Sequence, residues 1–321
     1  MNRNKIIAIL TTAFTGAALT AGALAVTAKE TDKELFKITI VTATSADPYY
    51  IADQEGFFEK YGIEVEYTGI VPDSITAVAT GAADFAITPA GRITEAISNG
   101  FEIKAIAAGW GTSEEYPMVE VLVKEDSDIQ SLDDLRGKKI AVPWLNEPYW
   151  LEAKEWAELG DDVEEVIVSF DKQEAALATD SVDAIYTLTP YPARLKQQGG
   201  YRSIWNALDT LGAEAGWPQQ FVNTGFLEEH PDIVAGYVAA LADACDFARE
   251  NPEQAAIDIA AGIGVNDVDP GIYLHEFPEH ALIDEENAQL WIDLERKYGL
   301  LGSEVTTADI YTNEFNPYYE G

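Results

Sequence analysis

The sequence predicts a two-lobed α/β protein, each lobe a mainly parallel sheet flanked by helices, with a ligand cleft between the lobes. Three observations carry that prediction. Short β-rich runs alternate with helically spaced runs, one strand-and-turn unit recurs at a constant offset, and 321 residues suffice for two ordinary α/β domains. Apolar residues make up 47% of the chain, a globular composition able to fill a sizeable core.

Residues 1–28 read as a secretory signal peptide. Arg3 and Lys5 precede Ile6 to Leu10, an Ala, Thr and Gly run reaches Val26, and Val26-Thr27-Ala28 offers small residues for cleavage. The stretch from Ile6 to Val26 is also long enough to span a bilayer, so a retained anchor is the alternative. Either way the protein is expected to be exported, to the periplasm or the outer face of the cytoplasmic membrane. The lone cysteine, Cys245, lies on a helical pattern and is expected to be a buried, inert thiol.

Lys37 to Thr42 is the first strand. Ser45-Ala46-Asp47-Pro48 breaks it, and the spacing of Tyr50, Ile51, Phe57, Phe58 and Tyr61 predicts a helix over 49–61, ended by Gly62. Ile63 to Tyr67 alternates apolar and polar, as a strand does. Asp73-Ser74 caps a helix through Ile75, Val78 and Ala79, and strands follow at 84–87 and 103–108. After a strand at 119–123, Ser131 to Pro143 reads as a capped turn, a Gly137 stop and another strand. Glu229-His230-Pro231 opens a long helix to Ala248, and the C-terminal third is mostly helical. The expected division is 36–121 for the first lobe, 122–221 for the second, and 222–321 for the return to the first. Val119–Lys124 and Gln219–Thr224 are the expected crossings.

Ala79 to Thr88 matches Ala178 to Thr187 at an offset of 99 residues, and proline follows each at Pro89 and Pro190. Two related half-structures explain this better than a solenoid, whose period is shorter. Ligands of open α/β sheets sit outside the carboxyl ends of strands. Thr88-Pro89 and Thr187 to Pro190 are therefore expected on opposite walls of one cleft.

Charge narrows the function. Asp and Glu number 56 against 20 Lys and Arg, a net charge of −36, which excludes nucleic acid and anionic membrane as partners. The acids are scattered, as a solvated surface tuned to high salt would have them. No catalytic set stands out. His230 sits at a helix start, and His275 and His280 are five apart with Pro278 between them, the wrong spacing for a metal on one helical face. Gly109-Trp110-Gly111 lacks the further glycine of a dinucleotide fingerprint. No catalytic residue, metal or cofactor is expected.

Aromatic residues recur in turns after strands: Tyr49, Tyr50, Trp110, Trp144, Tyr149, Trp150, Tyr191 and Trp217. Such positions line a ligand cleft or pack one lobe on the other. The expected ligand-binding set joins Tyr49, Trp110, Trp144, Tyr149, Tyr191 and Trp217 to the polar Thr44, Asp47, Thr88, Arg92, Asn146, Glu147 and Thr187. Asp47, Glu114, Glu115 and Glu147 make the cleft turns acidic against Arg92. An amine-bearing, zwitterionic or heteroaromatic solute suits such walls, since a cation gains over an indole face.

Ala52 to Val65, reading ADQEGFFEKYGIEV, together with Gly81 to Ala86, Ser131 to Pro143, His230 to Val234 and Asn251 to Glu253, resembles the ABC-transporter solute-binding proteins of the sulfonate, nitrate and thiamine-precursor type. The resemblance covers about 37–260. It implies a periplasmic-binding-protein type II fold, a small-molecule ligand held by hinge closure, a membrane ABC permease as partner, and a monomer. In one place the chain departs from that pattern. Sulfonate and nitrate binders of the family often carry a Gly-Ser-Thr-type turn where this chain has Trp144 to Trp150, and that turn suits an anion at a helix N-terminus. Two alternatives remain beside the amine reading: an anion binder, and a small-molecule enzyme of the thiamine-pyrimidine type on the same scaffold. A receptor-kinase sensor is the least expected, with no signalling segment beyond Gly321.

Overall fold

The computed structural model describes residues 35–42, 46–69, 71, 73–212, 218–265 and 269–321; the signal-like segment 1–28 lies outside them. The first sheet begins with β1 (Phe36–Ile40), followed by α1 (Pro48–Gln54), α2 (Phe57–Lys60), β2 (Ile63–Tyr67), α3 (Ser74–Ala79), β3 (Phe85–Thr88), α4 (Ala90–Ser98) and β4 (Ile103–Ala108). The second sheet takes β5 (Val119–Lys124), β6 (Lys139–Val142), α5 (Pro148–Trp156), β7 (Glu164–Ile167), α6 (Phe170–Ala178), β8 (Ala184–Leu188), α7 (Tyr191–Gln198), β9 (Tyr201–Asn206) and α8 (Leu208–Leu211). The chain then returns through β10 (Gln219–Asn223) to α9 (Thr224–Glu229), α10 (Pro231–Glu250), α11 (Pro252–Ile263), α12 (Glu285–Lys297) and α13 (Thr307–Ile310).

Both sheets have one design. The orders are β2-β1-β3-β10-β4 and β7-β6-β8-β5-β9. β1 is parallel to β2 and β3, as β6 is to β7 and β8. The fourth strand of each, β10 or β5, is antiparallel to both neighbours and has just arrived from the other sheet. The repeated units of the sequence fall on α3–β3 and α6–β8, the same place in each half. Even the anchoring bonds match: Asp84 accepts from Thr39 N at 2.7 Å and Asp183 from Lys139 N at 2.8 Å.

The crossings are not where the sequence puts them. Val119–Lys124 and Gln219–Asn223 are strands bonded on both sides within one sheet, and the lobe limits expected at 121 and 221 fall inside them. The connections are 109–118 and 207–218. They are tied at both ends, by Gly109 N to Pro218 O (2.8 Å) and Ala207 N to Val119 O (3.1 Å). The single helix expected over 49–61 is two, because Gly56 adopts φ 76°, a left-handed conformation open to glycine that breaks the ladder.

The first lobe's core centres on a stack of rings. Phe85 and Tyr237 lie 3.9 Å apart and Phe58 and Tyr237 5.6 Å, so α2 and α10 clamp β3; each fully buried ring contributes about 1.5–3 kcal/mol. Cys245 is buried in α10, and burial pushes its thiol up. α12 packs on α4 and so belongs to the first lobe. No helix among the described residues is long and apolar enough to cross a membrane.

Candidate functional site

The strand ends of both sheets open on a cleft of about 300 Å³. Asp47 and Glu147 enter it from opposite sides. Asp47 is the N-cap of α1, with extended backbone and no measurable exposure; it accepts from Tyr49 Oη at 2.9 Å and from Trp110 Nε1 at 3.1 Å. Trp110 is thereby fixed with its indole on the cleft. Behind it His275 stacks at 5.4 Å and meets Thr189 Oγ1 at 3.1 Å through Nε2. Burial pushes His275 down to about 3, so this imidazole is neutral at ordinary pH.

Glu147 is the N-cap of α5. One oxygen, Oε2, accepts both Trp150 N at 2.9 Å and Tyr186 Oη at 2.6 Å. The carboxyl is 4% exposed, and burial pushes it up to about 7 in spite of these donors. Asp47-Pro48-Tyr49-Tyr50 and Glu147-Pro148-Tyr149-Trp150 are the same motif, acid-Pro-Tyr-aromatic, at equivalent helix starts. Proline suits the first helical position of each, and at α5 the acid accepts from the free N–H of Trp150. That repeat, at an offset of 100, was readable in the sequence beside the 99-residue one.

Arg92, in the first turn of α4, holds its guanidinium 5.4 Å from the Trp144 ring. Since α4 belongs to the first lobe and Trp144 follows β6, this cation–π contact joins the lobes. Among the described residues Arg92 forms no ion pair. Asp73, which caps α3 at the cleft edge, has its carboxyl lowered first by the Thr76 hydroxyl and in smaller part by Arg92. Trp144 meets Phe170 edge-on at 6.0 Å, and Phe170 stacks on Tyr191 at 6.1 Å.

Of the expected residues, Asp47, Thr88, Arg92, Trp110, Trp144, Glu147, Tyr149 and Tyr191 line the cleft. Thr44 and Trp217 lie outside the described residues. Tyr49 does not line it but stands behind Asp47 as a donor. Asn146 borders an adjoining chamber, with φ 59° at the turn before α5. Thr187 is buried inside the sheet, paired with Glu120: β8 runs one residue beyond the repeat, so Leu188 and Thr189 face the cleft instead. Trp150 fills the second lobe's core against Tyr186. Glu114 borders a separate surface groove, and exposed Glu115 accepts from Tyr116 Oη. Sequence reasoning missed Asp73, Phe170 and Tyr186. Tyr186 sits inside an apolar strand, where nothing local distinguishes a cleft wall from core.

The histidines serve structure. His280 pairs with Asp246 at 2.6 Å and stacks on Tyr318 at 3.8 Å. Among the described residues no group of three or more His, Cys, Asp or Glu is placed to hold a metal ion.

Residues 43–255 match the family model described as NMT1/THI5 like. The chain belongs to the NMT1/THI5-like family. An aliphatic sulfonates-binding protein of Bacillus subtilis is 29% identical over 70% of this chain and 69% of its own length. The riboflavin-binding protein RibY of Chloroflexus aurantiacus is 25% identical over 84% of this chain and 82% of its own, and a formylaminopyrimidine-binding protein of Halalkalibacterium halodurans is 26% identical over 64% and 63%. Among solved structures, the periplasmic aliphatic sulphonate binding protein SsuA of Escherichia coli superposes with a TM-score of 0.70 at 20% identity, covering 90% of this chain and 94% of that one. The desulfurization enzyme DSZB superposes with a TM-score of 0.67 at 20% identity, covering 87% and 97%. These superpositions establish the two-lobed periplasmic-binding-protein fold for this family member.

Proposed function

We propose that this protein is the solute-binding receptor of an ABC-type importer, working outside the cytoplasmic membrane. Its cleft takes a small nitrogen solute, amine-bearing, zwitterionic or heteroaromatic, and hands it to a membrane permease on reopening. The observation that carries the reading is the pair of buried carboxylates, Asp47 and Glu147, on opposite walls beside the indoles of Trp110 and Trp144. An anion beside them would be repelled, with Arg92 alone to offset its lost hydration, whereas a cation gains from the carboxylates and the rings. Arg92, without an ion pair among the described residues, suits the carboxylate of a zwitterion. Relatives named for riboflavin and formylaminopyrimidine binding add support for a nitrogen heterocycle.

The receptor reading is preferred to an enzyme although DSZB shares the fold. Cys245 is shut inside α10 with its thiol pushed up, and neutral His275 lies behind Trp110. A second reading, a sulfonate binder, is favoured by Arg92 at the start of α4, where backbone N–H groups and a guanidinium would share an oxyanion. Calorimetry with glycine betaine, an aminopyrimidine, lysine and an alkylsulfonate separates the two. Nitrogen ligands should bind and Trp144→Ala should weaken them. Tight alkylsulfonate binding, untouched by Trp144→Ala and lost with Arg92→Ala, would replace the amine reading with the anion one.

A further inference from the structure

Behind Arg92 and Trp144 lies a second chamber of about 260 Å³ between the lobes. The start of α4, the 144–148 turn and α12 enclose it, and Pro89, Arg92, Trp144 and Glu147 are walls it shares with the ligand cleft. Its floor is Glu295, only 2% exposed, beside Trp291 at 1%. Glu295 Oε2 and Trp291 Nε1 are both buried without a hydrogen-bond partner among the described residues. Leaving such groups unmatched costs about 1–3 kcal/mol each, so a folded protein keeps them for a reason. The approach of Glu295 is also built in. A Cβ on Gly91 would stand 2.7 Å from Glu295 Oε1 and 2.7 Å from Trp291 Cε3, so a larger residue there would displace the carboxyl or the indole.

We infer that this chamber is a second subsite for the ligand, binding a protonated amine on an extended arm whose other end occupies the cleft at Asp47. The inference rests on the solute-receptor reading and narrows its ligand to molecules with two cationic nitrogens. Among the described residues, the charged groups lining the chamber are Glu95, Glu147 and Glu295 against Arg92. Burial first, then the charges of Glu95 and Glu147, push the Glu295 carboxyl up to about 8, so an arriving ammonium would expel its proton. A water takes about 30 Å³, so the chamber holds more than one water and has room for an aminoalkyl chain. Arg92 stacks on Trp144 and, among the described residues, forms no ion pair, so it leaves the carboxylates to the ligand.

The test compares pairs that differ by one terminal ammonium: lysine with norleucine, and putrescine with butylamine. Calorimetry near neutral pH, run in two buffers of different ionisation enthalpy, reads affinity and proton release together. The dicationic member of a pair should bind about ten-fold or more tightly than its partner. It should also release more protons, and Glu295→Gln should remove both differences. Glu95→Gln, at an exposed position where folding is not at issue, should reduce the affinity difference in part. Equal binding of both members of each pair, or a difference that survives Glu295→Gln in protein that still melts cooperatively, overturns the second subsite and leaves the cleft reading standing. If glycine betaine or an aminopyrimidine binds while neither pair does, the subsite again falls alone. Failure of every nitrogen ligand overturns both.

Discussion

Replacing Glu147 with glutamine should stabilise the protein at alkaline pH while damaging ligand binding. The carboxyl sits at about 7 in the folded state against an ordinary 4.5. Below about pH 4.5 both folded and unfolded chains hold the proton. Between about 4.5 and about 7 the folded state keeps it while the unfolded chain releases it, so stability falls as pH rises through that window and stays low above it. The difference corresponds to about 3 kcal/mol. Glutamine keeps the geometry, because Trp150 N and Tyr186 Oη both donate to the same oxygen, Oε2, which an amide oxygen replaces. Urea unfolding should therefore show Glu147→Gln about as stable as the parent near pH 4.5 and about 3 kcal/mol more stable near pH 8. Part of the parent's pH slope should survive, since Glu295 at about 8 acts in the same direction. A variant offset by the same amount at every pH, or less stable than the parent near pH 8, would refute the buried-carboxyl argument.

Trp144→Ala should weaken nitrogen-ligand binding about ten-fold by calorimetry, the equivalent of about 1.4 kcal/mol of lost stacking; an unchanged Kd would count against an indole wall. Lys297 and Tyr298 bind Glu152 and Glu155 of α5 across the lobes at 2.5–3.0 Å. These groups are partly exposed, so Lys297→Ala should cost about 0.2–1 kcal/mol of closure and speed ligand release up to about five-fold in stopped flow. Gly91→Ala should cost about 1–3 kcal/mol in urea unfolding, because its Cβ meets Glu295 and Trp291 in a packed site; no loss would mean the chamber floor gives way freely. With 56 acidic residues, the melting temperature should rise between about 0.01 M and 0.1 M salt as the Debye length shrinks from about 30 Å to about 10 Å, and a flat curve would deny surface self-repulsion.

Much of this architecture is written locally and much is not. The strands β1 to β4 were legible because period and stop signals such as Gly62 and Asp73 mark them locally, whereas β7, α7 and β9 were not read. The cleft walls were legible where turn residues stand at strand ends, as with Asp47, Trp110 and Glu147. Where sequence reasoning failed, the deciding partner is distant. β5 and β10 look like ordinary strands whichever sheet receives them, so the crossings were misplaced by a strand's length. Thr187 was drawn into the site by a repeat that β8 outruns by one residue. Glu295 gave no signal, because the chamber it floors forms only when a C-terminal helix meets Gly91 and the Trp144 turn.

The two connections between the sheets are held to each other at both ends, Gly109 to Pro218 beside the first sheet and Ala207 to Val119 beside the second. Connections tied to each other at both ends should bend across their shared width more readily than they shear or twist. We expect the lobes to swing about an axis through those two bonds, like a door on two pins. A swing of that kind would return Arg92 over Trp144, and Lys297 between Glu152 and Glu155, at each closure. In a receptor closing this way, selectivity would lie in whether the door can shut on what lies inside it, and the bonds at Gly109 and Ala207 would make each closure alike.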